Sequence, residues 1–504
     1  MARYKQTDAG NGQGLLLSVN LKEQLLPNSF ENMLNEIIGT KIDLSAFDKN
    51  YKNDLTGARA VPPSVLLKLV IYGYYKGCIS SRKIYELNNN NIIAKALTGD
   101  MYVHWTTIAD FISSNKEEFK KTFVQALMYC NELGLIGGEN YAIDGLRLPS
   151  NASIDMSGTE KQLKKRFETY KKMVQKHIER HERRDAEGPA DPETQKLFEK
   201  RQKYLNSRME TIGNFLGKIE KKEGHRGREL QSNVTDNESA MIHSSKGLIQ
   251  GYIGIAVSDQ KNQIITSAQA FGSGSETVHL PEMLDNNIEN LDEAGFKKKD
   301  ADKRPTMLGD SIYYSEKNLR ACEERGMEAV FPDSQAKRRL GSDGKNRFDA
   351  ADFKYNEAED YYECPQGKRL MYKRTNEYRG IEGKIYQASQ TDCRQCSDFS
   401  KCSWSKKKQT ENINAKVLRI TKSNEQGSLC RKMREKFKTA EYQDKYADRI
   451  QIIEPVFSNI KYCKSLNRFT LRGQEKVNCQ WLLYCMVHNL EKCINGRNLM
   501  RSSA

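Results

Sequence analysis

Apolar and polar positions recur with different periods along the chain, and the changes of period mark its organisation. Residues 1 to about 140 read as helical. Pro62-Pro63 precedes the apolar run from Val65 to Val70, which predicts a helix with a proline start. Gly77-Cys78-Ile79-Ser80-Ser81 then supplies a glycine break and a serine cap ahead of another helix. Further helices are predicted from near Thr106 and over Glu117 to Leu133. Short helices joined by tight polar turns fit a helix-turn-helix DNA-binding region, and fit any small helical bundle equally well.

At Asn140 the pattern changes. Tyr141-Ala142-Ile143-Asp144-Gly145 is a short apolar strand ending in a carboxylate and a glycine. Ser157 to about Leu230 is highly charged and helical in composition, broken at Gly188-Pro189-Ala190-Asp191-Pro192, which predicts an inserted helical hairpin. Its charges fit a solvated face, and a basic surplus there suits a DNA backbone. Strands are predicted over Ile249 to Ser258 and Gln263 to Phe271, with a turn between them, then a helix from about His279 to Ala294. Pro305 to Ser311 reads as another short strand with an acid, Asp310, at its end. A helix over Ser315 to Arg325 and a strand over Glu328 to Phe331 complete an alternation that a mixed sheet flanked by helices requires. A long polar region follows Pro332, and the last major helices are expected over about 445 to 495. No internal repeat is visible.

At 504 residues the chain is too long for one core, and roughly three or four structural units are expected. The net charge is +15 and the pI about 9.1, which favours a polyanionic partner, because each cation that replaces a counterion on phosphate gains binding entropy. No run approaches the roughly 18 apolar residues a membrane helix needs, and Met1-Ala-Arg-Tyr-Lys5 opens no secretory signal. An intracellular protein without a membrane partner is expected. Of the 12 cysteines, Cys78, Cys130, Cys322, Cys430, Cys463, Cys479, Cys485 and Cys493 are scattered singly, as reduced and often buried thiols are.

Candidate chemistry lies with the acids. Phosphodiester transfer needs an in-line nucleophile, a stabilised leaving oxygen and compensation of charge at phosphorus. Two divalent ions about 3.5–4 Å apart supply these, and hard Mg²⁺ prefers carboxylate and water ligands. Asp144 and Asp310 each end a short apolar strand, where a sheet would bring them together. Each alone is weak, since many aspartates cap strands or helices. In the run Tyr446 to Lys461, Glu454 and Lys461 are seven apart, two helical turns that share a face, leaving Ile453, Phe457 and Ile460 to pack on the sheet. Pro455 disfavours helical geometry at Glu454, so the helix is expected to start or kink there. Asp236 and Asp259 fit turn or cap roles, and His488 fits a packed helix position better than a general base.

These segments resemble the DDE-class transposases of bacterial insertion sequences. The match is carried by Ala142-Ile143-Asp144-Gly145, by Leu308-Gly309-Asp310-Ser311-Ile312-Tyr313-Tyr314-Ser315, and by the Tyr446–Lys461 run, which is similar to the family's spaced tyrosine, arginine, glutamate and lysine. Phe469-Thr470-Leu471-Arg472-Gly473 and His488-Asn489-Leu490 resemble its closing helices, and Pro62 to Phe111 resembles the helical domain that precedes the core in one subgroup. The chain departs from the family at Ile312 and Ser458, where glycines are common, and in having four residues between Arg449 and Glu454 where the general signature has three.

The resemblance implies an α/β fold with a ribonuclease H-like mixed sheet and a catalytic triad of Asp144, Asp310 and Glu454 holding two Mg²⁺ or Mn²⁺ ions. It implies DNA contacts by Tyr446, Arg449 and Lys461, and double-stranded DNA as partner, both terminal inverted repeats and target. It further implies a homodimer or larger synaptic complex in the bacterial cytoplasm, associated with the nucleoid. The expected organisation is a helical, DNA-binding region over 1–139 and the first part of the core over 140–332, with a helical insertion at 157–232. An insertion over 333–444 and the rest of the core over 445–504 follow. A catalytically silent DNA-binding regulator, and a nuclease of the same fold that does not join strands, are the alternatives.

Cys364, the pair Cys393 and Cys396, and Cys402 place four thiols close together in the polar region. A pair two apart forms the knuckle of many zinc sites, and four thiolates complete a closed, structural tetrahedron. Four reduced cysteines without metal are the other reading. Similar cysteines before the Glu-bearing helix in the related transposase subgroup favour zinc.

Overall fold

The computed structural model describes residues 20–51, 59–188, 191–219, 221–224, 227–244, 247–298, 300, 302–333, 347–378, 380–402, 415–425 and 427–503. The reading made of Met1 to Lys5 lies outside them. Contacts group the chain into two compact units, residues 1–111 and 112–504. No helix among the described residues is long and apolar enough to cross a membrane.

In the first unit, helices α1 (Phe30–Thr40), α2 (Pro63–Tyr75), α3 (Ser81–Asn90) and α4 (Ile92–Thr98) precede α5 (Trp105–Ser114). The punctuation read from the sequence is what the backbone uses. Pro62-Pro63 starts α2, Gly77 takes φ +75°, and the Ser80 hydroxyl accepts from the Lys83 amide at 3.4 Å. α2 is buried nearly all round, through Leu66, Leu67, Leu69, Val70, Ile71, Tyr72 and Tyr74. Gly73 lets α3 approach, since a Cβ there would lie 2.8 Å from Ile84 Cγ1.

The second unit opens with α6 (Lys116–Glu132) and is organised by a mixed sheet. Its strands are β1 (Asn140–Pro149), β2 (Ala240–Ser244), β3 (Gly247–Asp259), β4 (Ile265–Phe271), β5 (Thr306–Gly309) and β6 (Glu328–Val330). β3 pairs antiparallel with β1 along one edge and with β2 and β4 along the other; β1 continues to β5 and β6, both in parallel pairings. A three-stranded antiparallel part extended by parallel strands is consistent with a ribonuclease H-like domain. Helices α7 (Glu160–Glu187) and α8 (Pro192–Leu216) form a hairpin between β1 and β2. Helix ends at Leu216, so the described residues from there to Leu230 are not helical as the composition suggested. The helices α9 (Leu280–Glu293) and α10 (Glu316–Glu324) fill the crossovers as expected.

The polar region after Pro332 contains more structure than its pattern foretold. Strands β7 (Lys354–Asn356), β8 (Tyr361–Glu363), β9 (Arg369–Tyr378), β10 (Ile381–Ala388) and β11 (Val417–Ile420) form an antiparallel meander. Its small core holds Phe353, Tyr362, Leu370, Tyr386, Leu418 and Ile420. β9 is exposed at most positions, which leaves little apolar alternation to read. Then come α11 (Leu429–Lys436), α12 (Ala440–Ser458) and α13 (Gln474–Ser503).

α13 is surrounded, with Trp481, Leu483, Tyr484, Cys485, Val487 and Leu490 all fully buried. It also closes the free edge of β4. Asn478 Oδ1 accepts from the Ala270 amide at 3.0 Å, and Asn489 exchanges two 2.8 Å bonds with the backbone of Ile265. The spacing is matched, because eleven helical residues and five extended residues both span about 16 Å. An edge that would otherwise template aggregation is capped by side-chain amides.

α12 crosses β1, β3, β5 and β6 and continues through Pro455, so the helix does not start at Glu454, one of the two outcomes expected of the proline. Proline removes the donor that would serve the Gln451 carbonyl. That carbonyl accepts instead from Gln263 Nε2 at 2.7 Å, from the turn between β3 and β4. Beyond Pro455 the helix widens into a π turn over Asn459–Cys463. Ile453 and Ile460 are buried as the apolar spacing predicted, while the contact of Phe457 is with Trp481 of α13, at 6.3 Å between ring centroids.

Candidate active site

The parallel pairing of β1 with β5 aligns Ile143 with Gly309. Asp144 is the next residue of β1 and Asp310 the residue that follows β5, so the two carboxylates come near each other at one end of the sheet. Asp144 stays in β1, its Oδ1 accepting from the Gly145 amide at 2.8 Å. Asp310 leaves β5 and caps the short turn Ser311–Tyr313 through the Ser311 amide. Burial raises the Asp144 carboxyl above its ordinary range, opposed by Arg449 and by the Gly145 amide, with Asp310 adding to the rise.

Helix α12 reaches this corner through Arg449, whose Nη1 donates to Asp144 Oδ2 at 3.0 Å. Burial disfavours the guanidinium charge, but Asp144, with Tyr446 and Asp310, outweighs it and holds Arg449 protonated. Tyr446, one turn earlier, has its ring 5.9 Å from the guanidinium and edge-on to Phe437. Glu454 is exposed on the same helix. Five residues past Arg449, it is turned by about 140° around the axis, so the Arg449 contact does not bring it to the aspartates. Lys461 lies in the π turn with its ammonium 5.4 Å from the Tyr462 ring. Among the described residues no group of three or more His, Cys, Asp or Glu stands in a metal-holding arrangement.

Two buried side chains to which the sequence assigned no role face the same corner. Glu276 follows β4 and is 3% exposed; its Oε1 accepts from Arg147 Nη2 at 2.8 Å. Tyr313, fully buried, packs against Phe331. Three buried atoms here have no hydrogen-bond partner among the described residues: Glu276 Oε2, the Tyr313 hydroxyl and Arg449 Nε. Burial pushes the Glu276 carboxyl up to about 7, with Asp144 and Asp310 adding to it against Arg147. Burial, then Glu276, Asp144 and Asp310, likewise keeps the Tyr313 phenol protonated. Oxygen-rich groups left unsatisfied beside two strand-end aspartates fit a hard cation and its water.

The remaining acids and His488 are structural. Asp236 accepts from the Tyr252 hydroxyl at 2.9 and 3.0 Å, and Asp259 from the amides of Gly137, Gly138 and Lys261. His488 is buried, giving Nε2–H to the Gln263 carbonyl at 2.9 Å and accepting from Asn459 at Nδ1. Burial lowers its pKa from 6.5 to about 4. Neutral His488 is therefore preferred in the fold, and its contribution is complete above about pH 6.5 and lost as pH falls towards 4. Denaturant titrations are expected to show up to about 3 kcal/mol of this loss, reduced in His488→Gln. Equal slopes for the two proteins would refute the assignment.

The four clustered cysteines converge beside the meander. Cys393 and Cys402 each feel Cys364 and Cys396 electrostatically, and burial pushes the Cys402 thiol up to about 11. The Lys368 amide points at Cys364 Sγ and the Lys416 amide at Cys393 Sγ, both at 3.3 Å. Of the scattered thiols, six are buried, Cys78 is partly so and Cys463 is exposed. Cys130 and Cys493 are hydrogen-bonded at 3.4 Å.

Two segments match known families. Residues 19–114 match the family described as Transposase domain (DUF772), and residues 363–494 match the Transposase DDE domain. The chain carries the domains of an insertion-sequence transposase of the DDE class. The first transposase match nearly coincides with the N-terminal compact unit. The second covers the four cysteines, Tyr446, Arg449, Glu454 and Lys461, while Asp144 and Asp310 lie before it. No curated protein matches the sequence.

Proposed function

We propose that the protein is a DNA transposase that cuts the terminal inverted repeats of its element and joins the freed 3′ ends to target DNA. The observation that carries this reading is the meeting of Asp144 and Asp310 just past the β1–β5 register, with unsatisfied polar atoms beside them, in a chain with transposase domains. Asp144 and Asp310 would hold Mg²⁺ or Mn²⁺, and Glu454 is the acid of α12 that completes the triad once DNA and metal are bound. The bound ions supply an activated water and charge compensation at phosphorus.

The chain's own groups divide the remaining work. Arg449 neutralises Asp144 in the resting state and is freed to face phosphate when a cation takes its place. Tyr446 orients that guanidinium, and Lys461 offers a further positive charge along the same helix. Tyr313 keeps its proton and donates a hydrogen bond into the corner. In the N-terminal unit, Tyr85, Tyr102, His104 and Trp105 cluster with the Arg82 guanidinium 5.9 Å from the Trp105 ring. Such a basic, aromatic surface suits DNA contact. A dimer or larger assembly would pair two ends.

The test is incubation of end-bearing DNA with protein and Mg²⁺ or EDTA. Metal-dependent nicking followed by strand joining supports the reading. Nicking without joining would leave a nuclease, and binding without nicking a silent regulator. The cysteine cluster is assigned a structural Zn²⁺. Cys393→Ser is expected to lower zinc content from about one ion per chain and to reduce stability by a few kcal/mol. Elemental analysis finding no zinc in the purified wild type overturns that assignment.

A further inference from the structure

We propose that Glu276 is an additional carboxylate ligand of the cation site at Asp144 and Asp310. The inference rests on the functional reading above, but it concerns a residue outside the three acids of the DDE signature. Glu276 stands in the loop Gly272–His279 between β4 and α9, where its side chain lies directly over β1. A Cβ on Gly145 would meet Glu276 Oε2 at 1.9 Å and Ile253 Cγ2 at 2.7 Å. Only glycine after Asp144 lets this carboxylate come so near.

The two oxygens of Glu276 are treated differently. Oε1 is paired with Arg147, which also donates to the His243 carbonyl at 3.0 Å. Oε2 is buried, has no donor among the described residues, and lies within electrostatic reach of Asp144 and Asp310. A salt bridge alone does not explain this arrangement. Burying an acid beside two like charges is costly unless every lone pair is met, and Arg147 meets one side only. A divalent cation seated between the aspartates would meet the other and turn the mutual repulsion of the acids into shared ligation. The Tyr313 hydroxyl, also unpartnered and in the same field, is placed to bond a coordinated water or carboxylate.

Calorimetric titration of the full chain with Mn²⁺ alone tests the assignment, alongside the shift in melting temperature that Mn²⁺ produces. Glu276→Gln keeps the shape and the Arg147 bond and is expected to weaken Mn²⁺ binding by about ten-fold or more and to shrink the melting shift. Without metal it should melt no lower than wild type. Asp144→Asn is the reference that loses binding. If Glu276→Gln binds Mn²⁺ like wild type while Asp144→Asn does not, Glu276 is only a partner of Arg147 and the proposal is overturned with the aspartate site intact. If the wild type binds no Mn²⁺, the aspartate site falls and this ligand with it. Should Glu276→Gln fail to fold, the double change Arg147→Met with Glu276→Gln removes both charges and takes its place.

Discussion

Asp144→Asn is expected to reduce Mg²⁺-dependent nicking of element-end DNA by about 1,000-fold or more, a loss of about 4 kcal/mol of transition-state stabilisation. The change is nearly isosteric. It removes the charge that a cation would share with Asp310, while the amide oxygen can still accept from Arg449 Nη1 or from the Gly145 amide. Folding should survive, because the wild-type carboxylate is itself disfavoured by burial. DNA affinity should also survive, since a net charge of +15 is spread over the whole chain. Cleavage and filter binding measured side by side separate the two. Equal nicking by wild type and variant would remove Asp144 from the chemistry.

The largest expected loss of stability is at Trp481. Its ring is fully buried on α13, lies against Gly254 of β3, where a Cβ would come within 2.8 Å of the indole, and contacts Phe457 and Phe469. Its Nε1–H donates to the Ile255 carbonyl at 3.0 Å. Trp481→Ala should cost about 3–5 kcal/mol from the cavity alone, with the lost indole hydrogen bond adding about 1 kcal/mol. Trp481→Phe keeps much of the volume and loses the bond, so its cost should be well under half as large. Chemical denaturation of the second unit reads both. A cost below about 1 kcal/mol for the alanine variant would show that the indole does not hold α13 to the sheet.

Strand-end acids were legible because apolar strands with a terminal aspartate are a local pattern, and Asp144 and Asp310 both have it. The alternation of helix and strand around them likewise gave the mixed sheet. Their neighbourhood was not local. Glu276 sits in a glycine- and serine-rich loop that reads as solvent, and it is buried only because Gly145, over a hundred residues earlier, has no side chain. The glycine after Asp144 was the available signal, since a glycine inside a strand marks close approach by another group. That the helix does not start at Pro455 was hidden for a related reason: the donor that rescues the Gln451 carbonyl comes from Gln263, far away in sequence. The meander after Pro332 was missed because its strands are short or mostly exposed, and its core is a handful of aromatic and aliphatic residues.

Gln263 gives that rescue a wider meaning. It occupies the left-handed region at φ +59°, a conformation that costs an ordinary side chain about 1 kcal/mol. From there one residue serves both terminal helices: its amide nitrogen supplies Gln451, its amide oxygen takes the Lys492 ammonium at 2.7 Å, and its carbonyl takes His488. The tip of a hairpin thus acts as a three-way joint, fixing the pitch at which the Glu454-bearing rod leaves the sheet. Replacing it with glycine would relax the backbone and at the same stroke remove both side-chain bonds, loosening the hold of the hairpin on the helix that carries Glu454.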